Sequence, residues 1–571
     1  MRSEEGQSSF IGHIIISEDR PARPTDFWIA IERRDASVEV GSIVTVKGED
    51  NIIIGVVDDI RYASRSSSVA QFYEGQTRSE GQVQPSLKVP IERYAHVRVL
   101  AASPPYKMPP HDRWPVRHAV YNDIEVLFGK IPKRCRVLAG FLKGRQVRPI
   151  PVYLHADFLL GREGAHINIT GKTGLATKTS YAVFLAYSVL SWAKQENQRV
   201  AVVMFNVKRG DLMRLHRLPR NMEEARSCIK DWARAVGMEA RVEDMVKLWE
   251  SALEEGLDPF SVKIRYFTYS EDPYQDENHE DTWYFSYGLA DLSVVEVIAS
   301  IYRPGEKVTD PQYAMIHTYF DSLRATERKI SFNEMKEHFS LYSRYKPDEE
   351  SKRLLRKKGA PDLESWRTDV ADAIFRRLCG FLSRATHIVE VESPEGQPIK
   401  FWDQNDQRCI AKGKINVIQL FGLDEAEKRL VVNAVLRELL SGLQKPRDER
   451  HVDRIMVFVD ELNLYAPKAE SPIKEQIIDI VARGRDLGLS LFGAQQFASQ
   501  IDLQVLGNCS TKVVGNTDYA EVKKDLYAYL GEFRDYVPYL EKGEMIIYHP
   551  LYVSPFPVLF PIPLHEVVQE D

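Results

Sequence analysis

Cysteine is scarce: Cys135, Cys228, Cys379, Cys409 and Cys509 are the only five in 571 residues. They are isolated and odd in number, which argues against a disulfide framework or a zinc site and fits a reducing compartment. Long apolar runs are missing as well. No stretch is long and apolar enough to cross a bilayer, and the opening MRSEEGQSSF lacks a signal core, so the expectation is a soluble, cytoplasmic protein with no membrane association. Nor is there an excess of positive charge. With 82 Asp and Glu against 76 Lys and Arg the formal charge is -6, so any nucleic-acid-binding surface must be local. No repeat of about 34 to 45 residues is visible, which leaves a solenoid without support.

What is present is ordinary globular composition, 44% hydrophobic and 28% charged. At about 150 residues per domain the chain holds three or four domains. Phe10 to Ser17, Phe27 to Glu32, Ser42 to Lys47, Asn51 to Val57 and His96 to Leu100 are short branched and aromatic runs separated by turn signals, which predicts a small β-barrel, with a sandwich as the alternative. Ala63 to Lys88 is Ser-, Gln- and Gly-rich and reads as a long mobile loop. After a Pro-rich linker, strands alternate with amphipathic helices, the pattern of an α/β domain with a largely parallel sheet. From about Leu215 to Thr386 that alternation gives way to helical segments, read as an insertion, and it resumes at Lys414.

The apolar run HINIT (His166 to Thr170) is followed by GKTGLATKTS and then by a helical pattern from Tyr181 to Trp192. Strand, glycine-containing loop and helix form the context of a phosphate-binding loop. There, backbone N–H groups wrap phosphates, a lysine neutralises charge and the next hydroxyl ligates magnesium. Lys178 and Thr179 suit the last two roles, with Gly171, Gly174 and Thr177 in the loop. The spelling is irregular: one residue too many separates Gly171 from Lys178, and Ala176-Thr177 replaces the second glycine. The competing placement, Gly171-Lys172-Thr173, puts the lysine directly after the strand with no loop to hold phosphates.

RIMVFVDE (Arg454 to Glu461) is an apolar strand ending in two carboxylates. Parallel strands present ligand-binding groups at their C-terminal ends. Asp460 is the candidate magnesium ligand and Glu461 the group that polarises the attacking water. Ser471-Pro472 then opens a helix with an apolar face of Ile473, Ile477, Ile480 and Val481, Gly488 follows its end, and Leu489 to Phe492 leads to Gln495, a candidate γ-phosphate sensor. Arg483 and Arg485 lie near that helix's C-terminus, where the dipole favours cations; Arg485 is the candidate to reach a neighbouring subunit's nucleotide.

This order of elements resembles the HerA family of hexameric P-loop ATPases, in the wider HerA/FtsK group, over nearly the whole chain. VFVDELNLYAP (Val457 to Pro467), GRDLGLSLFGAQQF (Gly484 to Phe497) and VIQLFGL (Val417 to Leu423), the last followed by a capping pair Asp424 and Glu427, are similar to family motifs. Asn206 and Gln419 stand where the family commonly has Asp. The resemblance implies a RecA-like P-loop ATPase core with a largely parallel sheet, an N-terminal β-barrel like the family's HAS barrel and a helical insertion. The boundaries expected are 1–118 for the barrel, 119–149 for a linker and basic segment, 150–214 and 401–571 for the two parts of the core, and 215–400 for the insertion. It further implies ATP and Mg2+ as ligands, a homo-oligomeric, hexameric ring, and movement on double-stranded DNA. An effector partner is also implied, either a nuclease or a sirtuin-like NAD-consuming enzyme, as in anti-phage systems. The alternative function is a nucleotide-binding scaffold that assembles such an effector with little motor activity. Two basic runs are candidate DNA contacts: Lys130, Lys133, Arg134, Arg136, Lys143, Arg145 and Arg148; and Lys208, Arg209, Arg214, Arg217 and Arg220. The acidic stretch Ser270 to Asp281 lacks calcium-loop spacing and reads as solvated.

Overall fold

The computed structural model describes residues 10–33, 36–64, 91–105, 107–143, 149–161, 165–172, 178–208, 212–274, 279–303, 306–390, 400–403, 407–469 and 472–566. The loop expected at Ala63 to Lys88 lies, beyond Ser64, outside them. The chain divides into two units, one comprising Met1–His155, Glu243–Glu255 and Lys512–Pro561, the other Ala156–Val242, Gly256–Thr511 and Ile562–Asp571.

In the first unit, β1 (Phe10–Ile15), β2 (Asp26–Ile31), β3 (Ile43–Lys47), β4 (Ile52–Ser64), β5 (Ile91–Ser103) and β6 (Pro115–His118) close into a barrel in the order β1-β2-β5-β4-β3-β6. Period-two alternation turns one face of each strand inward. In β2 the inward residues are Phe27, Ile29 and Ile31, which pack with Ile11, Val44, Val46, Ile53, Val57 and Val97. Buried polar groups in the barrel are paired locally. Thr45 Oγ1 donates to Asp123 Oδ2 at 2.7 Å, and Arg117 grips the same carboxylate through two bonds of 2.9 and 2.8 Å. His96 lies between Asp58 (2.6 Å) and Asp26 (3.4 Å). Burial alone would lower its pKa, but the two carboxylates outweigh burial and raise it. The unit also holds an antiparallel strip built from β7 (Arg136–Leu142), β8 (Pro151–His155), β16 (Thr511–Val514), β17 (Glu544–Tyr548) and β18 (Phe556–Leu559), in the order β16-β17-β18-β7-β8.

The second unit is built on a parallel sheet ordered β12-β11-β13-β10-β14-β15-β9. Its strands are β9 (Ile167–Thr170), β10 (Val200–Asn206), β11 (Lys263–Thr268), β12 (Thr282–Tyr284), β13 (Lys414–Gln419), β14 (Arg454–Val459) and β15 (Leu489–Gln495). Every residue of β9, β10 and β15 is buried, as expected of a parallel sheet covered on both faces. The helix Lys178–Gln195, apolar nearly all round, is itself buried from Tyr181 to Ala193. Helix Glu425–Leu443 begins with the expected capping pair: Asp424 accepts from Ala426 N–H at 2.9 Å and Glu427 reaches back to Asp424 N–H at 3.1 Å. Helix Pro472–Leu487 buries Ile477, Ile480 and Val481. It is terminated by Gly488 at φ +99, where a Cβ would stand 2.4 Å from Asp453 O.

His166 fastens β9 in place. Its Nε2–H donates to Val481 O at 3.1 Å and its Nδ1 accepts Leu491 N–H at 2.9 Å, so the ring must be neutral.

The stretch 215–400 is not purely helical. It contains β11 and β12, which extend the parallel sheet beyond β13. Six-residue KIRYFT and three-residue TWY are too short to announce themselves among flanking helices. The helices Val294–Ile301, Asp310–Ala325, Phe332–Arg344, Glu349–Lys357 and Thr368–Leu382 follow. Capping boxes at Ser293/Glu296 and Ser331/Glu334 start two of them, and Tyr319, Phe339, Tyr342, Trp366 and Phe381 are buried in this part of the unit.

Candidate functional site

Because β9, β15, β14, β10 and β13 run parallel, the residues at their C-terminal ends lie along one edge of the sheet. Thr170, Gln495, Asp460, Asn206 and Gln419 are brought together there, although they span 326 positions of chain from Thr170 to Gln495 inclusive.

Lys178 is the first residue of the helix that follows β9, only 2% exposed, and its Nζ donates to Gly171 O at 2.7 Å. Lys172, the competing lysine, is exposed. Gly174 and Thr177 lie outside the described residues. Burial pushes the Lys178 ammonium down to about 8; Asp460 and Glu461 oppose that shift and the charge of Lys208 adds to it. A buried lysine beside the open end of a helix is suited to a polyanion, whose charge would restore the ammonium.

Asp460 follows β14 directly and is 3% exposed. Its Oδ1 accepts Glu461 N–H at 2.9 Å. Its Oδ2 is approached by Thr179 Oγ1 at 3.5 Å and by Lys208 Nζ at 2.6 Å. A hydroxyl and a carboxylate oxygen that converge in this way are hard oxygen donors of the kind magnesium takes, usually with several waters retained. The donor set therefore fits Mg2+.

Glu461 adopts φ 55, a left-handed conformation that a non-glycine residue holds only when its surroundings impose it. Among the described residues its carboxylate has no hydrogen-bond or ion-pair partner, in contrast to Asp460. β15 carries Gly493 beside this turn, where a Cβ would meet Leu462 Cδ2 at 2.3 Å. The glycine thus lets the Glu461 turn close down on the sheet.

Gln495 is buried and bonded within the sheet edge. Its Oε1 accepts from Asn168 Nδ2 at 3.2 Å, and its Nε2 donates to Asn168 Oδ1 and Thr170 Oγ1, both at 2.9 Å. The sheet order sets it between the end of β9 and the acidic end of β14. Asn206 Nδ2 donates to Gln419 Oε1 at 2.7 Å, and Gln419 Nε2 to Asp272 Oδ1 at 3.0 Å. Arg483 and Arg485 are both exposed; Arg483 pairs with Asp479, whereas Arg485 has no ion-pair partner among the described residues.

Three contributors escaped sequence reasoning: Asn168, Asp272 and Lys208. Lys208 was grouped with a basic run, and only the adjacency of β10 and β14 brings it to Asp460. Four other members of the two basic runs are paired within their own unit. Arg136 meets Glu125 at 3.2 Å, Lys143 meets Glu544 at 2.9 Å, and Arg214 and Arg217 meet Glu566 at 3.5 and 2.5 Å. Arg145, Arg148 and Arg209 lie outside the described residues. In the acidic stretch, Asp281 bridges Arg265 (2.8 Å) and Lys414 (2.6 Å), so that part of it is ion-paired rather than solvated. Among the described residues no helix is long and apolar enough to cross a membrane.

A parallel sheet with a buried lysine at the start of the helix after one strand, and an acidic pair at the end of a strand two places away, forms a candidate site for a phosphate group and a divalent metal ion. Part of the chain is similar to proteins of known function. Over 213 residues it is 25% identical to the DNA double-strand break repair helicase HerA of Sulfurisphaera tokodaii, covering 36% of this chain and 39% of that relative's length. No family model matches the chain. Among solved structures, the plasmid coupling protein TrwB in complex with ADP and Mg2+ is 14% identical, with a TM-score of 0.43 over 75% of this chain and 94% of TrwB. The genome packaging NTPase B204 from Sulfolobus turreted icosahedral virus 2, in complex with ATP-gammaS, is also 14% identical, with a TM-score of 0.20 over 27% of this chain and 69% of that chain.

Proposed function

We propose that this chain is a ring-forming ATPase that couples ATP hydrolysis to movement on double-stranded DNA. The observation that carries the reading is the meeting of Thr179 and Asp460 at the sheet edge, with Lys178 buried beside them and Glu461 unpaired among the described residues. In this scheme Gly171, Gly174 and Thr177 belong to the loop that wraps the phosphates, and Lys178 neutralises them. Thr179 and Asp460 would hold Mg2+, which when bound offsets phosphate charge. Glu461 takes a proton from the water that attacks the γ-phosphorus, and the lack of a competing partner among the described residues leaves it ready for that role. Gln495 must exchange its bonds to Asn168 and Thr170 for the γ-phosphate or the water, which makes it a sensor with a built-in resting state. Arg485, exposed and without an ion-pair partner among the described residues, is the residue offered to a neighbouring subunit. The hexameric ring and an effector partner, a nuclease or a sirtuin-like NAD-consuming enzyme serving antiviral defence, rest on the HerA resemblance, and the cytoplasmic location rests on the cysteine usage and the lack of a signal core.

A second reading has its own support. The Asn206–Gln419–Asp272 chain puts amides where the family commonly has Asp, and several candidate DNA-binding arginines and lysines are ion-paired. A ring that binds nucleotide, hydrolyses it slowly and assembles an effector fits those facts. Turnover of the isolated protein, with and without double-stranded DNA, separates the two. DNA-stimulated turnover that disappears in Glu461→Ala supports the motor; negligible turnover beside intact oligomerisation supports the scaffold.

A further inference from the structure

We propose that Lys208 is a tethered cation that holds the Asp460 carboxylate in the metal-free protein and competes with a divalent metal ion for it, so that metal binding has to displace the Lys208 side chain. The inference rests on the reading of Asp460 as a metal ligand and deepens it.

A carboxylate as buried as Asp460 needs a counter-charge or a set of donors. The cation expected to supply it is Lys178, yet the Lys178 Nζ donates to Gly171 O. The ion pair is made by Lys208, whose Nζ is 2.6 Å from Asp460 Oδ2, with side-chain exposures of 31% for the lysine and 4% for the aspartate. The partially open lysine is thus the movable member of the pair and the aspartate the fixed one.

The atom contacted decides the argument. Asp460 Oδ1 is committed to Glu461 N–H, and Oδ2 is the oxygen toward which Thr179 Oγ1 points. An ion held jointly by Thr179 and Asp460 therefore uses the oxygen that Lys208 now grips. An ammonium and a divalent ion on one oxygen repel strongly at the low dielectric of a buried site, so one excludes the other. Lys208 lies two residues beyond the end of β10, the neighbour of β14 in the sheet. Its four-carbon stem lets it leave Oδ2 while its backbone stays at the site edge. Ligand state at the sheet edge is in this way linked to the chain that follows β10.

The test uses the full chain and Mn2+ alone, with free Mn2+ followed by electron paramagnetic resonance. The expected result is that Lys208→Met binds Mn2+ about ten-fold or more tightly than wild type, while Asp460→Asn loses the binding. Equal affinity in Lys208→Met and wild type, with binding lost in Asp460→Asn, overturns the competition and leaves the metal reading of Asp460 standing. Unchanged binding in Asp460→Asn overturns both. A measurement on the unmodified chain covers the case of a variant that does not fold: amine acylation of Lys208, read by mass spectrometry, should rise as Mn2+ is added. Reactivity that stays flat while Mn2+ binds overturns the inference.

Discussion

In the parallel sheet of the second unit, Thr170, Asn206, Gln419, Asp460 and Gln495 all sit at the same ends of neighbouring strands, while in the barrel of the first unit the neighbours run antiparallel and polar groups are scattered. Parallel strands aligned in one direction collect polar ends along one edge, where they can act together on a ligand. Antiparallel pairing alternates the ends, so Asp123 and Asp58 each find a partner nearby, Thr45 and Arg117 for one and His96 for the other. The same residue types thus serve stability in one unit and form a candidate site in the other. Among the described residues Lys178 is buried without a carboxylate at ion-pair distance and Glu461 is unpaired. In the barrel the buried charges are matched.

The largest expected effect tests that division. Glu461→Gln should lower ATP turnover by about 10²- to 10⁴-fold with nucleotide binding retained, measured as phosphate release beside equilibrium binding of a fluorescent nucleotide. An equal loss of binding would place Glu461 in the packing instead. In the barrel, Asp123→Ala leaves Thr45 and Arg117 without their shared acceptor. It should cost about 2 kcal/mol in urea unfolding and leave nucleotide affinity of the folded protein unchanged; a matching loss of affinity would erase the contrast between the units. Asn206→Asp sets a carboxylate oxygen against Gln419 Oε1 in a buried pair and should also cost about 2 kcal/mol or more. A gain in turnover from that variant would show that the amide had been limiting catalysis.

The finest distinction is in pH. His166 is held neutral, its pKa pushed down to about 4 by burial, with the nearby Arg485 charge adding to the effect and the bond to Val481 O opposing it. Between about 6.5 and 4 the unfolded chain binds a proton that the folded chain refuses, so this contribution to stability falls as pH falls. His96 has the opposite sign. Its raised pKa gives stability that is present below about 6.5 and lost as pH rises through the folded value. Denaturation of His166→Gln and His96→Asn across pH 4 to 9 should remove slopes of opposite sign. Slopes of the same sign would show that one of the two environments is misread.

Much of this was legible in sequence because periodicity and strand-end chemistry are local. RIMVFVDE announces both a buried strand and its carboxylates, and Asp424 with Glu427 announces a helix start. Five of the six barrel strands were visible as short β-branched runs, although β4 and β5 extend well past the expected segments and the four-residue β6 was not among them. What could not be read depends on which strands are neighbours. Lys208 reaches Asp460 only because β10 lies beside β14, and Gln495 bonds Asn168 only because β15 lies beside β9. β11 and β12 were missed for a similar reason: a short strand earns its place from the sheet it joins, not from its own propensity.

The central claim is that the polar edge of the parallel sheet binds Mg2+ and a nucleoside triphosphate through Lys178. Calorimetric titration of the full chain with a non-hydrolysable ATP analogue and Mg2+ tests it most directly, beside the same titration of Lys178→Ala with its fold checked by circular dichroism. Saturable binding to the wild type that is lost in the variant is the expected result. Binding of equal strength in both, or none in the folded wild type, would contradict it.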